Sequence, residues 1–134
     1  MDSCKTHLWA YMACSHGEAL PESVTLVYRA GDPYSVELCL GQGAQWALPR
    51  EILRDDLACT TPPIAGGDAS WSWEPEGLLV TLREQLATGE WDESRILLPR
   101  DSVEPFARSV FDLVPAGNES QFIDWSSLAA PGKR

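Results

Sequence analysis

Two histidines, four cysteines and twenty carboxylates are the side chains of this 134-residue sequence that could do chemistry. Their spacing argues against most of it. A nucleophile–base pair needs both groups within hydrogen-bond reach and a third group to orient the base. His7 lies in a strand-like run on one face with Lys5 and Trp9, while His16 follows Cys14 and Ser15 in a polar connector. Closeness of Cys14 and His16 along the chain does not supply that geometry. Cys4, Cys14, Cys39 and Cys59 lack the short paired spacing of a zinc site. In a reducing cytoplasm they are expected as free thiols packed like small apolar groups, with a Cys4–Cys14 bridge as the alternative. The carboxylate pairs Asp55-Asp56, Glu74 with Glu76, and Asp92-Glu93 fall in loops, turns or solvated faces. A glycosidase would oppose two carboxylates across a cleft, which adjacency does not provide. Gly66-Gly67 and Gly41-Gln42-Gly43 lack the Gly-Lys-Ser/Thr continuation of a phosphate loop. The expectation is a protein with no catalytic, cofactor-binding or metal-binding residues, and so not an enzyme.

Aromatic residues offer a different chemistry, that of contact. Six tryptophans are many for this length: Trp9, Trp46, Trp71, Trp73, Trp91 and Trp125. Trp46 is in phase with Ala44 and Leu48 and is expected in the core. Trp71 and Trp73 share one face of a strand, a phase that allows burial or a stacking platform for a single-stranded nucleic acid. Such a platform also needs a basic groove. The net charge of −10 argues against one, and it makes polyanions and anionic membranes poor partners. Trp9 and Tyr11 lie opposite Leu8, Ala10 and Met12, the face expected to be buried. They are the candidate partner-binding residues, since aromatic side chains are enriched at the cores of protein interfaces.

The elements that must position these residues are mostly strands. Residues 4–12 alternate strictly, as do Val24, Leu26 and Tyr28, and then Tyr34, Val36, Leu38 and Leu40. Asp32-Pro33 between the last two runs predicts a tight antiparallel hairpin, closed by an Asx-type turn with a preset proline angle. Ala44, Trp46 and Leu48 give a fourth strand. Pro49 suits the first turn of a short amphipathic helix over 49–58, and residues 59–68 form a Pro/Gly-rich loop. A second hairpin is predicted over 69–75 and 78–86, turning at Pro75 and Gly77, with a further strand over about 91–98. Asp101 or Ser102 is placed to cap a helix carrying Val103, Phe106, Val110, Leu113 and Val114, with Glu104 completing a capping box. A last short helix is expected from Asp124 to Ala130, and residues 131–134 as a frayed tail. The fold class is therefore α+β: about seven mainly antiparallel strands in a twisted sheet or open barrel, one short inserted helix and two C-terminal helices. Residues 1–130 read as one domain, of a size that buries roughly 68% of its unfolded surface. No segment approaches the about 20 apolar residues of a membrane span. The N-terminus lacks the pattern of a signal peptide, which predicts a cytoplasmic protein.

Several stretches in order resemble the SsgA-like family of sporulation-specific cell division proteins of actinomycetes. They are Cys4 opening the first strand, Asp32-Pro33-Tyr34-Ser35-Val36, Trp46-Ala47-Leu48 leading into Arg50-Glu51-Ile52-Leu53, the Gly-Asp loop before the Trp73 strand, Leu97-Leu98, Phe106, and Val114-Pro115-Ala116-Gly117-Asn118-Glu119. The resemblance implies a whirly-like fold assembled as a homo-trimer. It also implies a non-enzymatic role, without cofactor, in positioning or building septa through protein contacts. The implied partners are the tubulin-like division protein FtsZ or another SsgA-like protein, at the division septum. The alternative on the same fold is a single-stranded nucleic-acid binder. The extra cysteines, Trp71-Ser72-Trp73 and the short Asp124-Trp125-Ser126-Ser127-Leu128 segment depart from the best-known branches of the family.

Overall fold

The computed structural model describes residues 2–14, 18–41, 43–54 and 68–122. Seven strands form one sheet: β1 (Ser3–Cys14), β2 (Leu20–Arg29), β3 (Ser35–Leu40), β4 (Gln45–Pro49), β5 (Asp68–Glu74), β6 (Gly77–Gln85) and β7 (Trp91–Pro99). Their order is β4-β3-β2-β1-β7-β6-β5, and each neighbouring pair is antiparallel. The chain thus lays down two meanders, β1–β4 and β5–β7, joined where β7 returns beside β1. The sheet curls into a nearly closed barrel. Across its open seam, the indole Nε1–H of Trp73 on β5 donates to the Ile52 carbonyl just after β4, at 3.0 Å.

Alternation dictates the inside. Val24, Leu26 and Tyr28 of β2, Val36 and Leu38 of β3, Leu78 and Val80 of β6, and Ile96 and Leu98 of β7 are all fully buried. One helix, α1 (Arg100–Leu113), lays Val103, Phe106 and Val110 onto this core at helical spacing. The apolar period read from the sequence is what the helix buries.

The helices differ from expectation at their ends. The inserted helix over 49–58 is a four-residue 3-10 turn, Arg50–Leu53, and residues 55–58 lie outside the described residues. Helix α1 starts before Asp101 and Ser102: its cap is Pro99, with no side-chain capping bond. Glu104 reaches Arg100 at 2.8 Å instead of closing a capping box. The N-terminus is secured by Arg100 itself. Its backbone N–H donates to Glu76 O at 3.0 Å, and its guanidinium to Glu74 O at 2.8 Å and Pro75 O at 3.2 Å, so one residue clasps the β5–β6 turn. Pro105 therefore sits in the second turn of α1. Two C-terminal helices are not seen: α1 is followed by a 3-10 turn, Glu119–Phe122, and the helix expected over 124–130 and the tail 131–134 lie outside the described residues.

The turn of the first hairpin is closed by main-chain bonds, Asp32 N to Arg29 O (3.0 Å) and Ser35 N to Asp32 O (3.4 Å). Cys4 and Cys39 are free thiols, and burial, with the charge of Asp112 added, pushes the Cys4 thiol up from its ordinary pKa.

Candidate protein-interaction surface

The odd-numbered residues of β1 point away from the core. Trp9 is 68% exposed and Tyr11 55%, while Leu8 and Ala10 between them are buried. β1 lies in the middle of the sheet, where Tyr11 is paired with both β2 and β7 and Trp9 with β2. The register continues their surface. Pro21, Tyr11, Leu97 and Leu79 occupy matching positions on β2, β1, β7 and β6, and Trp9 stands one rung away opposite Ser23. Leu79 and Leu97 are half-buried, so an apolar row crosses four strands of the outer face. Directly opposed side chains on one face lie within about 4.5–5.5 Å at Cβ and behave as a unit. Exposed apolar patches with a polar border are where proteins meet other proteins. Here Lys5 and a Thr25–His7 hydrogen bond (2.7 Å between Oγ1 and Nδ1) border the row.

That bond also locates His7: it is a surface group held by a threonine. His16 lies outside the described residues. Among the described residues there is no cluster of three or more His, Cys, Asp and Glu able to hold a metal. Of the carboxylate pairs, Glu93 lies 3.8 Å from Arg83, Glu74 accepts from Ser72 Oγ at 2.8 Å, and Asp55-Asp56 lie outside the described residues.

Trp71 and Trp73 do share a face, and it is the inner one. Trp71 is buried, and Trp73 is half-buried with its ring covered by the Arg100 guanidinium at 4.9 Å. Trp71 is enclosed and Trp73 has one ring face under Arg100, so the two do not form an exposed paired platform. Trp46 is packed against the core but only half-buried, because β4 is an edge strand. Trp91 is exposed beneath Arg83 at 4.9 Å.

One functional-looking residue escaped the sequence reading. Arg50 is only 3% exposed. Its guanidinium donates to the Tyr28 hydroxyl at 3.2 Å and to the Val114 carbonyl, pairs with Glu119, and lies over Phe111 at 4.5 Å. Its N–H donates to Tyr34 O at 2.9 Å, and the Tyr28 hydroxyl donates onward to Pro33 O at 3.0 Å. Burial raises the Tyr28 phenol above its ordinary pKa, with Arg50 opposing. The Glu119 carboxyl is held below its ordinary pKa by its own backbone N–H first and, against a burial effect, by Arg50 and the Gly117 N–H at 3.0 Å. The signal was an arginine inside the apolar run Ala47-Leu48-Pro49-Arg50-Glu51-Ile52-Leu53. A buried arginine held by several partners in this way organises structure. It joins three of the stretches that carry the family resemblance: Pro33-Tyr34, Arg50 and Val114–Glu119.

An open cleft of about 350 Å3 lies between Leu53, Trp73, Ala107 and Phe111. The rings of Trp73 and Phe111 are each already covered by an arginine.

No family model matches the chain. A sporulation-specific cell division protein SsgB from Frankia casuarinae is 28% identical over 129 residues, spanning 92% of this chain and 86% of that protein. An SsgB from Kineococcus radiotolerans is 32% identical over 125 residues, spanning 85% of this chain and 70% of that protein. Two solved structures share the fold. One comes from work relating SsgB mutations to longitudinal cell division during sporulation of Streptomyces coelicolor (TM-score 0.64, 22% identity, 88% of this chain and 91% of that one). The other is an SsgA-like sporulation-specific cell division protein from Thermobifida fusca (TM-score 0.69, 18% identity, 94% and 92%). With sequence relatives matched over most of their length and the same barrel in both structures, the chain belongs to the SsgA-like family of sporulation-specific cell division proteins.

Proposed function

We propose that this protein is a non-enzymatic adaptor of sporulation-specific cell division. In this reading it helps to position or build septa by presenting the outer face of its sheet to division proteins, FtsZ or another SsgA-like protein. The observation that carries the reading is the apolar row through Tyr11 and Leu97, with Trp9 beside it, on a central strand. Such a surface costs solubility unless something covers it, and aromatic anchors on a rigid backbone bind with little loss of conformational entropy. The family relationship supports the process. No helix among the described residues is long and apolar enough to cross a membrane. Attachment at the septum would then come from protein partners on the cytoplasmic side. A homo-trimer would repeat each weak contact and raise avidity.

The test is a fluorescent fusion at the native locus carrying Trp9→Ala and Tyr11→Ala together. Wild type is expected as ladders or foci at future septa before constriction. The double variant is expected to be diffuse at unchanged protein level. Septal ladders formed equally well by the double variant would remove this surface from the function.

A further inference from the structure

β1 is only half covered. It pairs with β2 along Ser3–Met12 but with β7 only along Tyr11–Cys14. The cause lies in β7. Beyond Tyr11–Leu97, the next rung of that register would set Trp9 against Pro99, which has no N–H to give and at which the chain turns into α1. The Ala30 N–H donates to Asp2 O at 2.8 Å, which sets the phase of the β1–β2 ladder. Even-numbered residues of β1 direct their backbone groups at β2, and odd-numbered residues direct theirs away. Tyr11 and Ala13 turn theirs to β7. Among the described residues, those of Lys5, His7 and Trp9 meet no strand, and no backbone bond to another element takes them up.

Helix α1 runs alongside without satisfying them, because a helix spends its interior N–H and C=O groups on itself. Between the two lies a groove of about 370 Å3, walled by Lys5 and Thr6 on the strand and by Ser102, Pro105 and Phe106 on the helix. Pro105 adds no backbone donor to this wall. Lys5 is the only charged side chain lining the groove among the described residues.

We propose that the Lys5–Trp9 edge of β1 accepts an extended, proline-free segment of a partner protein as an added strand, with a carboxylate of that segment set against Lys5. The observation behind it is a row of unspent donors and acceptors at strand spacing beside a groove with hydroxyl-bearing walls. Main-chain bonds would supply affinity, and the side chains that alternate toward the groove and toward Trp9 would supply selectivity. The inference rests on the adaptor reading of the protein. It does not require the Trp9–Tyr11 row to be the contact.

The edge can be tested without knowing the natural partner. A random dodecapeptide library displayed on phage is panned against the full-length protein, and selected peptides are synthesised. Peptides free of proline over a run of residues and bearing Asp or Glu are expected, and on binding they should protect the Lys5, His7 and Trp9 amides from hydrogen exchange. Lys5→Pro removes an outward N–H while leaving the ladder to β2 intact, and should weaken binding about tenfold. Lys5→Ala removes only the side chain and should cost less than about fivefold. Should Lys5→Pro fail to fold, the peptide carries the test: methylating its alternate amides should abolish binding in one phase and spare it in the other.

Failure to select any peptide, or binding indifferent to both Lys5→Pro and amide methylation, overturns the proposal. Peptides lost with Trp9→Ala and Tyr11→Ala but kept by Lys5→Pro would overturn the edge and leave the adaptor reading standing. Protection of these amides that rises with protein concentration alone would assign the edge to a second copy and overturn a partner strand.

Discussion

At the scale of single residues, Arg50 carries more of the structure than any residue the sequence singled out. Removing one member of a buried ion pair strands the others, here the Tyr28 hydroxyl, the Val114 carbonyl and the Glu119 carboxylate. Arg50→Ala is expected to cost about 3 kcal/mol, read as a lower urea midpoint with unchanged slope. Glu119 makes this linkage depend on pH. Its folded pKa lies below its ordinary value, so its contribution is fully present above that ordinary value and is lost as pH falls through the folded one. Unfolding free energies measured across the acid range should therefore fall less steeply for Glu119→Gln than for wild type. Equal slopes would mean that the carboxylate is not held as described. Trp9 and Tyr11 make the opposite case. Their exposure predicts that the double alanine variant keeps its thermal stability to within about 0.5 kcal/mol, so any loss of septal position would report contact and not unfolding.

Among the elements, the two hairpins show how local chemistry and long-range geometry divide the work. Asp32-Pro33 and Pro75 with Gly77 mark their turns in the sequence, and both turns form where expected. What the turns meet was not legible. A Cβ on Gly77, at φ +155°, would lie 2.0 Å from Leu98 O and 2.8 Å from Arg100 N. These atoms belong to the junction of β7 and α1 and are backbone, which cannot swing aside. Gly77→Ala is expected to cost at least about 2 kcal/mol, or to prevent folding, in the same urea titration. A near-wild-type midpoint would show that the β6–β7 junction can open. The same junction explains the helix ends. Residues 101–104 offer capping side chains, but α1 begins earlier because Pro99 ends the ladder and Arg100 finds three carbonyls of the neighbouring turn. Tertiary bonds outcompeted the local cap.

For the whole molecule, the barrel explains how an acidic chain keeps an apolar outer row in place. The sheet order puts β1 at its centre, so Trp9 and Tyr11 lie three strands from each of the edge strands β4 and β5, where unspecific pairing is the hazard. The proposed adaptor mechanism depends on repetition of weak sites. Sedimentation at micromolar concentration is expected to give three times the mass of one chain. A monomer under those conditions would remove avidity, a gain of about 10²–10⁴ in linked systems, from the mechanism.

The sequence by itself determined the alternation of the strands, the buried face of α1, the two tight turns and the outward phase of Trp9 and Tyr11. The faces follow from a period of two or of 3.6 and the turns from their Asp, Pro and Gly residues, and none of these needs a distant partner. It also carried the family, because the matching stretches keep their order along the chain. Only the tertiary structure decided the rest. Whether Trp71 and Trp73 were core or platform depended on which face of β5 turned inward. Whether Arg50 was solvated or buried depended on a C-terminal segment sixty residues away, and where β7 stopped pairing with β1 depended on Pro99 falling opposite Trp9. These outcomes rest on which elements meet, and a sequence pattern states an element's faces without naming what will cover them.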